Sequence, residues 1–84
     1  YYQSGETNFS VEDKEKAIKE VEKKYKKTAQ NIKYLDGVTL EFDDWWFNLR
    51  KSGTEPVIRL NLEAETKSKM ESKTNKIKQI LSKL

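Results

Sequence analysis

Two residue types that carry much of enzyme chemistry are missing from these 84 residues: there is no cysteine and no histidine. Without cysteine the chain can form neither a disulfide framework nor a thiolate metal site, and a reducing compartment suits it. Without histidine it lacks the commonest general base near neutral pH and the commonest transition-metal ligand. Acid–base catalysis is therefore poorly provided for. Long apolar runs are also missing: nothing approaches the roughly 20 residues that cross a bilayer. The N-terminus does not have the charged-then-apolar layout of a secretory signal. The chain reads as cytoplasmic, with no membrane partner. It opens with Tyr1 and its one methionine is Met70, which reads as a domain excised from a larger protein, residues 1–84 forming a single unit.

A net charge of +3 raises the question of nucleic acid, but the 17 basic and 14 acidic residues are interleaved, not gathered into a block. That pattern describes solvated helix faces. With 35% hydrophobic and 37% charged residues the core must be thin, and the aromatic segments supply the packing that a disordered tail lacks.

Hydrophobic spacing divides the chain. Tyr1 to Phe9 reads as an extended lead-in suited to an edge strand. Ser10 offers an N-cap with Asp13 three residues on, and Val11, Ile18, Val21 and Tyr25 follow at helical spacing, predicting a helix from Val11 to Lys27. The lysines from Lys23 to Lys27 then complement the helix C-terminus. Asp36-Gly37 is a turn signal. After it, Val38, Leu40 and Phe42 alternate with polar residues, as do Trp45, Phe47 and Leu49, and then Ile58, Leu60 and Leu62, predicting three meandering antiparallel strands. Trp45 and Trp46 face opposite ways and read as packing residues. Thr66 caps a closing helix with an apolar stripe at Met70, Ile77, Ile80, Leu81 and Leu84. The fold class is α+β, with both helices covering one face of the sheet.

One segment asks for more than a turn. "RKSGTEP", Arg50 to Pro56, joins two predicted strands and places Arg50 at its start, with Arg59 just past its end. Antiparallel pairing brings both guanidinium groups toward one end of the sheet, where a phosphate would accept charge-assisted hydrogen bonds. Ser52 and Thr54 add hydroxyl donors. Gly53 permits a left-handed backbone or a close approach to a ligand, so that successive amides face one concavity. Pro56 stiffens the exit. Glu55 repels an anion and is expected to turn aside, toward a cation or a sugar hydroxyl. A plain hairpin turn with surface arginines has the same composition.

"DGVTLEFDDWWFNLRKSGTEPVIRLNLEAET", Asp36 to Thr66, resembles the C-terminal domain of the alpha-D-phosphohexomutase superfamily, nearest its phosphomannomutase/phosphoglucomutase branch. The specific element is R-x-S-G/N-T-E-P-x-x-R; "SGETNF", Ser4 to Phe9, is similar to the start of that domain. The resemblance implies a fold like the TATA-box-binding protein. It implies the fourth domain of an enzyme that moves a phosphoryl group between the C1 and C6 oxygens of a hexose through a bisphosphorylated intermediate. It also implies that Arg50, Ser52, Gly53 and Thr54 contact the phosphate that does not react, with Arg59 as a supporting cation. Lys51 falls where the family varies. The other three domains would be this domain's partners, and a mannose or glucose phosphate its substrate. The phosphoserine and magnesium loops would lie in those domains, with no cofactor in this one, so the isolated domain is expected to be inactive. Gly53 departs from the asparagine of many phosphomannomutases, which leaves the sugar open. The alternative is a small nucleic-acid-binding or protein-interaction module that binds no phosphosugar.

Overall fold

The structure, a computed structural model, describes residues 1–83. Eight elements follow one another: β1 (Tyr2–Gln3), β2 (Thr7–Ser10), α1 (Lys14–Tyr25), β3 (Asn31–Lys33), β4 (Val38–Glu41), β5 (Trp45–Lys51), β6 (Val57–Ala64) and α2 (Lys67–Ser82). The six strands form one antiparallel sheet in the order β1-β6-β5-β4-β3, with β2 also on β6, beyond β1 along the same edge. Ala17, Val21 and Tyr25 of α1 and Ile77 and Leu81 of α2 pack in one core with the inward residues of β4, β5 and β6. Both helices therefore lie on one face, and the other face is open, as the α+β reading requires.

Period-two alternation is nearly complete in the two longest strands. Trp45, Phe47 and Leu49 of β5 and Ile58, Leu60, Leu62 and Ala64 of β6 are buried, while their neighbours are half-exposed. Tyr25, Phe42, Trp45 and Phe47 make an aromatic cluster beneath the helices, with Phe42 stacked on Trp45 at 4.2 Å between ring centroids. The face of Trp45 also meets the ammonium of Lys73 at 5.0 Å. Burial and the nearby Lys76 and Lys69 lower the Lys73 pKa.

Several sequence expectations shift. The first helix starts three residues later than Val11, because Ser10 ends β2 and Val11 donates its amide to the Pro56 carbonyl at 2.9 Å, prolonging the pairing with β6. Asp13 is the N-cap, its carboxylate accepting from the Lys16 amide at 3.1 Å. The helix closes at Tyr25, whose carbonyl accepts from the Thr28 and Ala29 amides. The lead-in becomes two short strands rather than one, and β3 was not anticipated. Thr66 caps α2 as expected, accepting from the Lys69 amide at 3.1 Å. Leu84, assigned to the apolar stripe of that helix, lies outside the described residues.

Two glycines have a left-handed backbone, Gly5 at φ 74° and Gly37 at φ 85°. Gly53 does not, so of its two expected roles only the close approach remains. A Cβ at Gly37 would collide with the Leu49 carbonyl and sit 2.8 Å from the Arg50 Cβ, whereas one at Gly53 would meet nothing within 4 Å. Gly37→Ala should accordingly lower stability by on the order of 2–4 kcal/mol. Gly53→Ala should stay within about 0.5 kcal/mol of the parent. Urea unfolding midpoints of the two variants check the contrast.

Candidate functional site

The register of β5 against β6 sets the geometry. Arg50 lies directly opposite Arg59, just as Leu49 lies opposite Leu60. Leu49 and Leu60 are fully buried under the helices, so alternation turns both arginines to the open face, side by side. Like charges directly opposite on a sheet repel. A carboxylate lies between them: Arg50 Nη2 donates to Glu6 Oε1 at 2.9 Å, and Arg59 Nη1 is 3.7 Å from Glu6 Oε2. A second acid, Asp36, accepts from Arg50 Nη1 at 3.4 Å. The hydrogen bond to Glu6, followed by the charge of Asp36, raises the Arg50 pKa above its usual value. Arg59 Nε is buried and has no hydrogen-bond partner among the described residues.

Asp36 owes its position to the turn before β4. Its φ of 55° is a conformation that aspartate tolerates better than most residues. Its carbonyl accepts from Asn48 Nδ2 at 3.1 Å. Asn48 sits two residues before Arg50 on the same face, so one strand holds both the turn and the cation that the turn's carboxylate meets.

The loop beyond Lys51 has two unlike sides. Ser52 is 8% exposed; its hydroxyl donates to the Glu55 carbonyl at 2.8 Å and its amide to the Val57 carbonyl at 3.0 Å. Lys14, in the first turn of α1, donates to the Ser52 carbonyl at 3.2 Å and the Glu55 carbonyl at 3.0 Å. Lys51 pairs with Glu15 of α1 at 3.1 Å. These contacts draw the carbonyls of Ser52 and Glu55 toward the helical layer. In a planar trans peptide the next N–H points the opposite way, so the Gly53 amide faces away from Lys14. Gly53 and Thr54 are exposed, and neither amide donates to a backbone carbonyl among the described residues.

Of the sequence-predicted residues, Arg50 and Arg59 converge as expected, and Gly53 and Thr54 lie exposed in the adjoining loop. Ser52 is turned inward, where it closes the turn. Glu55 meets a cation through its backbone carbonyl and Lys14, not through its side chain. Lys51 lies on the helical side, away from Arg50. Three residues escaped the sequence reading: Glu6, Asp36 and Lys14. Glu6 falls within the "SGETNF" stretch already noted, but nothing local tells that a residue more than forty positions earlier folds onto Arg50.

Other surfaces offer less. A hollow of about 760 Å³ between the helices is lined by residues such as Lys23, Lys76 and Ile80 and lies on the layer opposite the arginines. A depression of about 150 Å³ on the open face is lined by Gly5, Trp46, Asn61 and Glu63. Trp46 is half-exposed there, while Phe42, Trp45 and Phe47 pack in or against the core; a base-stacking sheet would need two or three exposed aromatics on neighbouring strands. No group of three or more His, Cys, Asp or Glu residues able to hold a metal occurs among the described residues. Asp43 accepts from Gln30, and Asp44 is paired with Lys69, whose hydrogen bond lowers the Asp44 pKa. No helix among the described residues is long and apolar enough to cross a membrane.

Comparison with known proteins places this geometry in context. Residues 6–79 match the family described as phosphoglucomutase/phosphomannomutase, C-terminal domain. The phosphomannomutase of Methanocaldococcus jannaschii is 39% identical over 84 residues, which is 100% of this chain and 18% of that protein. A phosphomannomutase of Salmonella montevideo is 42% identical over 80 residues, 94% of this chain and 18% of its own length. The chain therefore spans about a fifth of the length of these relatives. Among solved structures, a phosphoglucomutase/phosphomannomutase family protein from Burkholderia thailandensis superposes with a TM-score of 0.70 at 22% identity, covering 95% of this chain and 17% of that one. That likeness concerns the fold.

The buried hydroxyl of Ser52 yields a direct expectation. Ser52→Ala should lower stability by about 1 kcal/mol. It should also broaden the amide NMR signals of residues 52–55, while Thr54→Ala, at an exposed position, should change stability little.

Proposed function

The chain belongs to the phosphoglucomutase/phosphomannomutase C-terminal domain family, and on that premise we propose that it is the part of a hexose-phosphate mutase that holds a substrate phosphate. Arg50 and Arg59 would be the cations, the Gly53 amide and the Thr54 amide and hydroxyl the neutral donors, and Ser52 the residue that fixes the loop. What carries this reading is the arginine pair: two guanidinium groups on one face, close enough to share a single carboxylate.

The chemistry of such a mutase explains why a phosphate needs an anchor. A phosphoryl group passes between the C1 and C6 oxygens of a hexose through a bisphosphorylated intermediate, so one phosphate must stay fixed while the other reacts. Two guanidinium groups offer a dianion several charge-assisted hydrogen bonds. The exposed Gly53 amide in the adjoining loop would add a fixed dipole. Gly53 has no side chain to obstruct a ligand's approach. The phosphoserine and the magnesium ion belong, on this reading, to the remainder of the parent chain. The substrate is a mannose or glucose phosphate.

Titration of this chain with glucose 1-phosphate or mannose 6-phosphate should move the amide signals of Arg50 to Thr54 and the side-chain signals of Arg50 and Arg59. Movement confined to the helices, or no more than chloride produces at equal ionic strength, would contradict the reading. In the parent enzyme, Arg50→Ala should reduce kcat/KM for the phosphosugar by on the order of tenfold or more, and Lys51→Ala by less than about twofold. Equal losses would remove the distinction between the two sides of the loop.

A further inference from the structure

The N-terminal edge of the sheet contains a one-residue irregularity. Tyr2 and Gln3 pair with Ala64 and Glu63, while Thr7 pairs with Leu60. Ser4, Gly5 and Glu6 thus lie against only Asn61 and Leu62. This is a β-bulge, with Gly5 in the left-handed conformation at φ 74° and the Ser4 hydroxyl accepting from the Leu62 amide at 3.2 Å. In an unbroken ladder Glu6 would lie opposite Leu60, a fully buried core position. The extra residue reverses the alternation, so that Thr7 takes that place and Glu6 is delivered to the open face beside Arg59 and Arg50.

We infer that Glu6 is a resident counter-ion of the arginine pair, a carboxylate placed there by the Gly5 bulge and displaced when a phosphate dianion arrives. The inference rests on the phosphate reading given under Proposed function. Three observations support exchange rather than a permanent clamp. Glu6 reaches the two guanidinium groups through different oxygens, at 2.9 Å and 3.7 Å, instead of forming a bidentate fork with either. All three side chains are more than a third exposed, and ion pairs in such settings are weak and easily traded. Arg50 and Arg59 carry two positive charges, which Glu6 and Asp36 together cancel. A dianion gains little from a neutral site, and it gains most once the carboxylate between the arginines has moved off. Until then Glu6 relieves the repulsion of two like charges facing each other across a ladder.

The test is titration of this chain with inorganic phosphate, comparing the parent with Glu6→Gln, which preserves size and removes the charge. In phosphate-free, low-salt buffer Glu6→Gln should lower Tm, and at the same time it should bind phosphate about three- to tenfold more tightly. A carboxylate that merely positioned the arginines would give the opposite sign, weaker binding together with lower stability. In the parent, the carboxyl carbon signal of Glu6 should move over the same range of phosphate concentration as the side-chain signals of Arg50. Weaker or unchanged binding in Glu6→Gln, with the parent still binding through Arg50, overturns the counter-ion role and leaves the phosphate reading standing. Failure of both proteins to bind at the arginines overturns both. Should Glu6→Gln not fold, the parent's carboxyl signal decides: if it stays put while the Arg50 signals saturate, the inference falls.

Discussion

Arg50 and Arg59 can stand together on the open face only because β5 and β6 pair in one register. A one-residue slip would turn one of them under the helices, among residues such as Phe47 and Leu62 that tolerate no charge. Hydrophobic burial on the helical face therefore enforces charge placement on the other. The apolar side chains of the two longest strands stabilise the register, the register fixes the guanidinium groups, and the neighbouring carboxylates of Glu6 and Asp36 make their proximity tolerable.

The loop from Ser52 to Pro56 works on the same division. The carbonyls of Ser52 and Glu55 are held by Lys14 and by the Ser52 hydroxyl on the helical side, and the Gly53 amide points away from Lys14. Gly37 ties the other flank to the site, since the Asp36-Gly37 turn packs against the Arg50 backbone as its carboxylate approaches the Arg50 side chain. Cation, loop and turn are thus three parts of one arrangement at the end of β5.

How much of this could be read from the sequence depends on the range of the interactions. The alternation at Trp45, Phe47 and Leu49 and at Ile58, Leu60 and Leu62 is a local signal, and it led to the open face, to the pairing of the arginines and to the helical layer. Thr66 was readable as a cap for the same reason. The start of α1 was misplaced because Ser10 and Asp13 are both good caps, and only β6, nearly fifty residues away, decides that Ser10 belongs to a strand. The strand Asn31–Lys33 carries one apolar residue, too few to show a period. The Ser52 hydroxyl donates to the Glu55 carbonyl, and residue types alone do not reveal which way a hydroxyl turns. Glu6 needed both a register and a bulge to reach its place, and neither is written in its neighbours.

The margins of the sheet have a consequence of their own. β3 ends one side with three residues, among them Lys33, and the other side is divided between β1, with two residues, and β2, with four, offset by the bulge at Gly5. Among the described residues no edge offers a long, flat row of amides and carbonyls on which a foreign strand could grow. One whole face of the six-stranded sheet is thus left uncovered by the two helices while its edges stay short and interrupted.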